Sequence, residues 1–222
     1  MLILAFDTAT STATAALLRD SVLLGERAVP ARALMTAIDG LLDEAGVVPG
    51  DLDGVACGVG PGSFTGVRIG LAHARGISLA LAVPVAGVST LAALAAGARA
   101  GRSAVPAGSG GAAPAGSDAD VIAVVDARRS EVFVLADGIE SCIRPDELAF
   151  VHGTLLVGDG AVRYRGLLEG VGGTVPADES ELHLPRARFH ALLARSFGPA
   201  DEALPVYLRA PDAKKAVQAG AA

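Results

Sequence analysis

The chain has 222 residues, a formal net charge of −6, 51% hydrophobic and 19% charged residues. This excludes wholesale disorder, and with only Cys57 and Cys142, which form no CxxC pair, it also excludes a disulfide-stapled scaffold. The acidic balance, with lysine confined to Lys214 and Lys215, argues against a domain whose main task is to grip nucleic acid.

The apolar run Met1–Phe6 follows no basic segment and is too short for a signal peptide, so a cytoplasmic protein is expected. The uncharged stretch between Arg75 and Arg99 is long enough to cross a bilayer. Pro84, Gly87, Ser89 and Thr90 instead divide it into a helix end, a short strand and a new helix, and no membrane partner is expected.

In chain order, residues 2–6 predict a buried strand ending at Asp7, with 13–18 as its hairpin partner and 22–24 as a third strand. Leu34, Met35, Ile38, Leu41 and Leu42 fall at helical spacing, predicting a helix over 34–45 that stops at Gly46. A strand over 55–59 leads into the glycine-rich turn Gly60-Pro61-Gly62-Ser63-Phe64-Thr65-Gly66. A helix over 65–81 follows, with Ser63 as its N-cap, then a strand over 83–88 and a helix over 90–98. Residues 103–118, almost all Ala, Gly, Pro and Ser, read as a linker or loop without a core. The second half echoes the first: a strand over 121–125 ends at Asp126 and a hairpin partner covers 131–136. A strand and turn over 155–160, a helix over 189–197 and a terminal strand over 205–209 complete it. The expected division is an N-terminal unit at 1–102, a C-terminal unit at 119–211 and a tail or helix at 212–222.

Two halves that each open with a strand ending in Asp fit the pattern of actin-like ATPases and sugar kinases. There a glycine two residues on lets a phosphate approach the backbone. Here Ala9 and Arg128 occupy those places, so nucleotide hydrolysis at such a cleft is disfavoured. A strand-end Asp bonding its own backbone serves equally well. The glycine-rich turn before a helix has the geometry of an anion site, but it lacks the Gly-Lys-Ser/Thr of a P-loop and the GxGxxG spacing. A tight strand-to-helix turn is the simpler reading. No two histidines among His73, His152, His183 and His190 lie three or four apart, and no GxSxG elbow occurs. No catalytic residue, metal ligand or cofactor is therefore expected. What remains is packing. Gly66, Gly70, Ala74 and Ser78 form a smooth ridge flanked by Val67 and Leu71, and the 34–45 helix has a broad apolar face. Such faces cover a sheet or dock a partner, and spacing alone favours the core for most of these residues.

The segments Ile3–Thr10, Gly60–Gly70, Pro84–Leu91, Val125–Arg128 and Pro205–Arg209 resemble the bacterial TsaB (YeaZ) family in the expected order. The motif residues that carry the likeness are Asp7, Thr8, Gly60, Gly62, Ser63, Phe64, Thr65, Gly66 and Arg68. The resemblance implies an α/β protein of two small actin-like (RNase H-like) subdomains, each a mixed sheet with helices. It implies a role in making threonylcarbamoyladenosine, next to the anticodon of tRNAs that read codons starting with A. The implied role is a non-catalytic subunit bound to the transferase TsaD, with the ATPase TsaE joining them and tRNA contacted through the complex. A homodimer through the same helices is a further alternative where TsaD is absent. TsaD-type proteins hold a metal through two histidines, whose places here are Thr90 and Leu94. The expected docking residues are Leu34, Ile38, Leu41, Leu42, Val67, Gly70, Leu71, Ala74 and Ser78. An actin-superfamily phosphotransferase or a metalloprotease-like enzyme acting alone is the alternative.

Overall fold

The computed structural model describes residues 1–103 and 121–209. Expectations for the 103–118 linker and the 212–222 tail therefore fall essentially outside the described residues.

The first sheet is built from β1 (Leu2–Asp7), β2 (Thr12–Arg19), β3 (Val22–Pro30), β4 (Gly54–Gly58) and β5 (Val85–Val88), in the order β3-β2-β1-β4-β5. β1, β2 and β3 pair antiparallel, whereas β4 and β5 run parallel to β1. The second sheet contains β6 (Val121–Arg128), β7 (Glu131–Ala136), β8 (Ile139–Ile143) and β9 (Leu155–Val157), in the order β8-β7-β6-β9. It repeats the same plan: an antiparallel meander, then a parallel strand beside the first. The echo between the two Asp-ended strands is thus structural, and the α/β class with two mixed sheets is as expected. β8 had no signal in the sequence reading, because its alternation is weak and it is only partly buried.

Every residue of β1 is buried, so its two faces meet two different layers. Leu4 and Phe6 meet α1 (Leu34–Glu44) and α2 (Phe64–Leu81). Ile3 and Ala5, with Ala16 and Ala56, meet α6 (Ala187–Leu193) through Ala187 and Ala191. Small side chains on both surfaces let α6 lie close to the sheet. The second sheet presents Val121, Ala123 and Val125 to α3 (Thr90–Ser103), and Ile122 and Val124 to α4 (Asp159–Arg163) and α5 (Arg165–Gly170).

The packing does not divide as the chain does. Helix α3 follows the first sheet in sequence but covers the second through Leu91, Leu94, Ala95 and Ala98. Helix α6 follows the second sheet but covers the first. The two helices touch each other between the sheets. A boundary near residue 102 therefore separates neither core cleanly. Residues 205–209 do not form a strand. Pro205 has no N–H to give, and the Val206 N–H to Val59 carbonyl bond is not extended into a ladder. No helix of the described residues is long and apolar enough to cross a membrane; β5 interrupts the uncharged stretch.

Candidate functional site

The glycine-rich turn lies face down on the β1–β2 turn. Ser63 N–H donates to the Ala9 carbonyl at 2.7 Å, and the Thr8 hydroxyl donates to the Gly66 carbonyl at 2.7 Å. Ser63 caps α2 as expected, its hydroxyl accepting from Gly66 N–H at 3.2 Å. The glycines are needed because there is no room for more. A Cβ on Gly62 would sit 2.5 Å from the Ala9 carbonyl oxygen, one on Gly66 2.1 Å from that of Thr8, and one on Gly70 2.5 Å from the Thr8 hydroxyl. The conformation of Gly60, at φ +91°, is a second requirement. These glycines serve contact between two turns of the chain itself, where an ATPase of this pattern would admit phosphate.

Below that contact the Asp7 carboxylate is wholly buried. Its Oδ1 accepts from Ala9 N–H at 2.6 Å, and its Oδ2 accepts from the Thr90 hydroxyl at 2.7 Å. His190 Nε2, equally buried, lies 2.9 Å from the same Oδ2, an ion-pair distance without an aligned N–H···O bond. Burial alone would push the Asp7 carboxyl up. The contact and charge of His190, with the Thr90 hydroxyl and the Ala9 N–H, outweigh that and hold it below its ordinary value. Burial, with the nearby Asp7 charge, pushes the Cys57 thiol up to about 12, which leaves it protonated and unreactive at neutral pH. The node ties β1 to the start of α3 and to α6, the two helices that cross between the halves. Thr90 and Leu94 are both fully buried; the Thr90 hydroxyl is committed to Asp7, and Leu94 sits in the core of the second sheet. They do not fit a metal, and no group of three or more His, Cys, Asp or Glu among the described residues does.

The second corner is different. Asp126 Oδ1 accepts from Arg128 N–H at 2.9 Å, the same local turn as at Asp7. Its Oδ2 faces the guanidinium groups of Arg128 at 3.2 Å and Arg163 at 3.7 Å, both on well-exposed side chains. Asp159 accepts from Asp126 N–H at 2.9 Å. Burial first, then the Asp126 charge, raise the Asp159 carboxyl above its ordinary value. Arg128, Arg129 and Ser130 all adopt left-handed backbone (φ +63°, +54° and +60°), so side chains expected to restrict such a turn in fact occupy it. Asp126 and Asp159 line a cleft of about 610 Å³ between the halves, whose opposite wall is Ala9–Ser11 and Gly62–Thr65. Residues 206–209 close one end, with Arg209 Nη1 donating to the Ala127 carbonyl and pairing with Glu131.

The structure relocates the expected docking residues. Leu34, Ile38, Leu41, Leu42, Val67, Gly70, Leu71 and Ala74 are buried, the apolar side chains among them packed beneath their helices against the first sheet. Ser78 is half-buried, its hydroxyl donating to the Val83 carbonyl at 2.6 Å. The smooth ridge serves the intramolecular contact, as the core reading of the spacing favoured. The exposed apolar residues on these helices are their neighbours Met35, Phe64, Ile69 and Leu79. Sequence reasoning brought Asp7, Thr8 and the glycine block together but missed His190. A lone histidine in a short helix carries no pattern, and its partner lies far away in the chain. It also missed Glu26, a buried carboxylate on β3 that pairs with Arg186 just before α6.

Comparison with known proteins agrees with this arrangement. Residues 31–142 match the family model of the tRNA N6-adenosine threonylcarbamoyltransferase TsaD. The tRNA threonylcarbamoyladenosine biosynthesis protein TsaB of Bacillus subtilis is 28% identical, the match covering 96% of each chain. TsaB of Escherichia coli is 35% identical over 60% of this chain and 53% of its own. An uncharacterized protein of Mycobacterium tuberculosis is 35% identical over 96% of this chain and 93% of its own. Among solved structures, YeaZ from Pseudomonas aeruginosa superposes with a TM-score of 0.72 at 32% identity, covering 93% of this chain and 99% of that one. The chain belongs to the TsaB (YeaZ) family, which serves the biosynthesis of threonylcarbamoyladenosine in tRNA.

Proposed function

We propose that the chain is a non-catalytic scaffold subunit that binds a TsaD-type partner, with TsaE joining the pair. Its role is to support transfer of the threonylcarbamoyl group to the adenosine beside the anticodon of tRNAs reading A-starting codons. The observation that carries this reading is the closed corner at Asp7. The turn after Asp7 still lines the cleft, but it carries Ala9 where such ATPases have glycine and its Thr8 and Ala9 carbonyls pack on Gly66 and Gly62, while the carboxylate that would face a metal is consumed by Thr90 and His190. A fold so altered acts through its surface. The outer faces of α1 and α2, with Met35, Ile69 and Leu79 in water, are the docking face we assign. A standard interface of about 1,600 Å² in total suffices for a stable pair. A second copy of the chain competes for the same face when the partner is missing.

The test is a titration of the purified chain with its cognate TsaD at micromolar concentration, read by sedimentation. A one-to-one complex is expected. Leu79→Asp should abolish it while leaving the melting temperature of the isolated chain unchanged. No complex, or ATP turnover by the chain alone that Asp7→Asn removes, contradicts the proposal.

A further inference from the structure

Two motif blocks far apart in the chain meet at one exposed spot. Phe64 and Arg68 stand one turn apart at the start of α2, so they share a face. The Arg68 guanidinium lies over the Phe64 ring, 3.6 Å from its centroid, and its Nε donates to the Tyr207 hydroxyl at 3.0 Å. The Phe64 and Tyr207 rings are 5.6 Å apart and tilted by 32°. Phe64 is 51% exposed and Tyr207 45%. Arg68 pairs with no carboxylate among the described residues, whereas Arg27, Arg144, Arg165 and Arg186 all do. A cation is thus held in one geometry, between two half-exposed rings, with no carboxylate of the described residues beside it.

We infer that Phe64, Arg68 and Tyr207 form an anchor for a protein partner that presents an Asp or Glu side chain flanked by an apolar one, an inference that rests on the docking role proposed above. A fixed guanidinium fork matches a carboxylate, and ordering it in the free chain lowers the entropy lost on association. Tyr and Arg in a ring of apolar contact are the composition of binding hot spots. A polyanion is the poorer fit. The next arginine on the helix, Arg75, is turned to the carbonyls of Ala200 and Ala203, so no basic track runs along α2.

The experiment is titration calorimetry of the full chain with its cognate TsaD at two salt concentrations, alongside melting curves. Arg68→Ala should weaken binding about tenfold, and Arg68→Glu should weaken it further. Tyr207→Phe, which keeps the ring, should weaken it only slightly. The wild-type affinity should fall with salt more steeply than that of Arg68→Ala, a slope that a residue merely fastening 205–209 to α2 does not alter. Failure of the wild type to bind removes the docking role itself. Wild-type binding that both Arg68 variants and salt leave unchanged overturns this inference alone. Binding of a tRNA anticodon stem-loop by the isolated chain, lost in Arg68→Ala, overturns it in favour of RNA.

Discussion

Asp7 closes β1 and Asp126 stands two residues before the end of β6, the equivalent strand of the second sheet, and each accepts the N–H of the residue two positions on. Beyond that shared turn they part. Asp7 is sealed under the glycine-rich block and held by Thr90 and His190, whereas Asp126 opens on the cleft and is answered by two exposed arginines. The difference shows how one aspartate of a duplicated fold can become a structural joint while its counterpart lines the cleft between the halves. In the first corner the carboxylate oxygens that would face a ligand face Thr90, His190 and the Ala9 N–H instead.

The sharpest way to break this comparison is to add a methyl group where the turns touch. Gly66→Ala places a Cβ 2.1 Å from a backbone carbonyl oxygen and should cost about 3 kcal/mol or more in denaturant melts. Gly76→Ala, on the same helix with open space around it, should be neutral or stabilising by up to about 1 kcal/mol. Equal effects of the two would contradict the close contact.

Removing one member of the buried node comes next. His190→Ala should cost about 3 kcal/mol by opening a cavity and leaving the buried Asp7 carboxylate to the Thr90 hydroxyl and the Ala9 N–H alone. Asp126→Asn should cost less, about 1 kcal/mol, because although its carboxylate is only 7% exposed its arginine partners are largely in water and an amide can still accept from Arg128 N–H. Similar losses at both corners would erase the distinction.

A pH series sharpens it further. The Asp7 carboxyl is held below its unfolded value of about 3.9, so its contribution is complete above that value and is lost as the pH falls through the folded one. Asp159, raised by burial, has the opposite sign: its contribution is complete at low pH and is lost as the pH rises through its folded value. Between about pH 5 and pH 3 the wild type should therefore lose more stability than Asp7→Asn does, as read from urea midpoints.

The smallest stability effect belongs to the surface. Leu71→Ala, in the core, should cost about 2 to 4 kcal/mol, whereas Leu79→Ala, 88% exposed, should stay within about 0.5 kcal/mol in melts. Its effect should appear in partner binding instead.

Much of the fold was legible because local signals were strong. The apolar run before Asp7, the Ser63 cap and the Gly46 stop each sat next to the element they defined. The exchange of α3 and α6 between the halves was not legible. An apolar stripe such as Leu91, Leu94 and Ala98 states that a helix is covered but not by which sheet. The same ambiguity covers the expected docking residues, since Leu34, Val67 and Leu71 look alike in the sequence whether they meet a sheet or a partner, and in the structure they are buried against the first sheet. His190 was hidden for a related reason: its meaning comes from Asp7, and only the return of the chain to the first sheet brings the two together.

The central claim is that this chain acts by being bound and not by its own chemistry. The direct measurement is the rate of threonylcarbamoyl transfer to tRNA by the cognate TsaD, with TsaE, threonylcarbamoyl-AMP and ATP supplied, as the chain is titrated in. The account predicts that the rate rises and saturates near one equivalent, and that the chain without TsaD transfers nothing. A rate indifferent to the chain, or transfer by the chain alone, would contradict it.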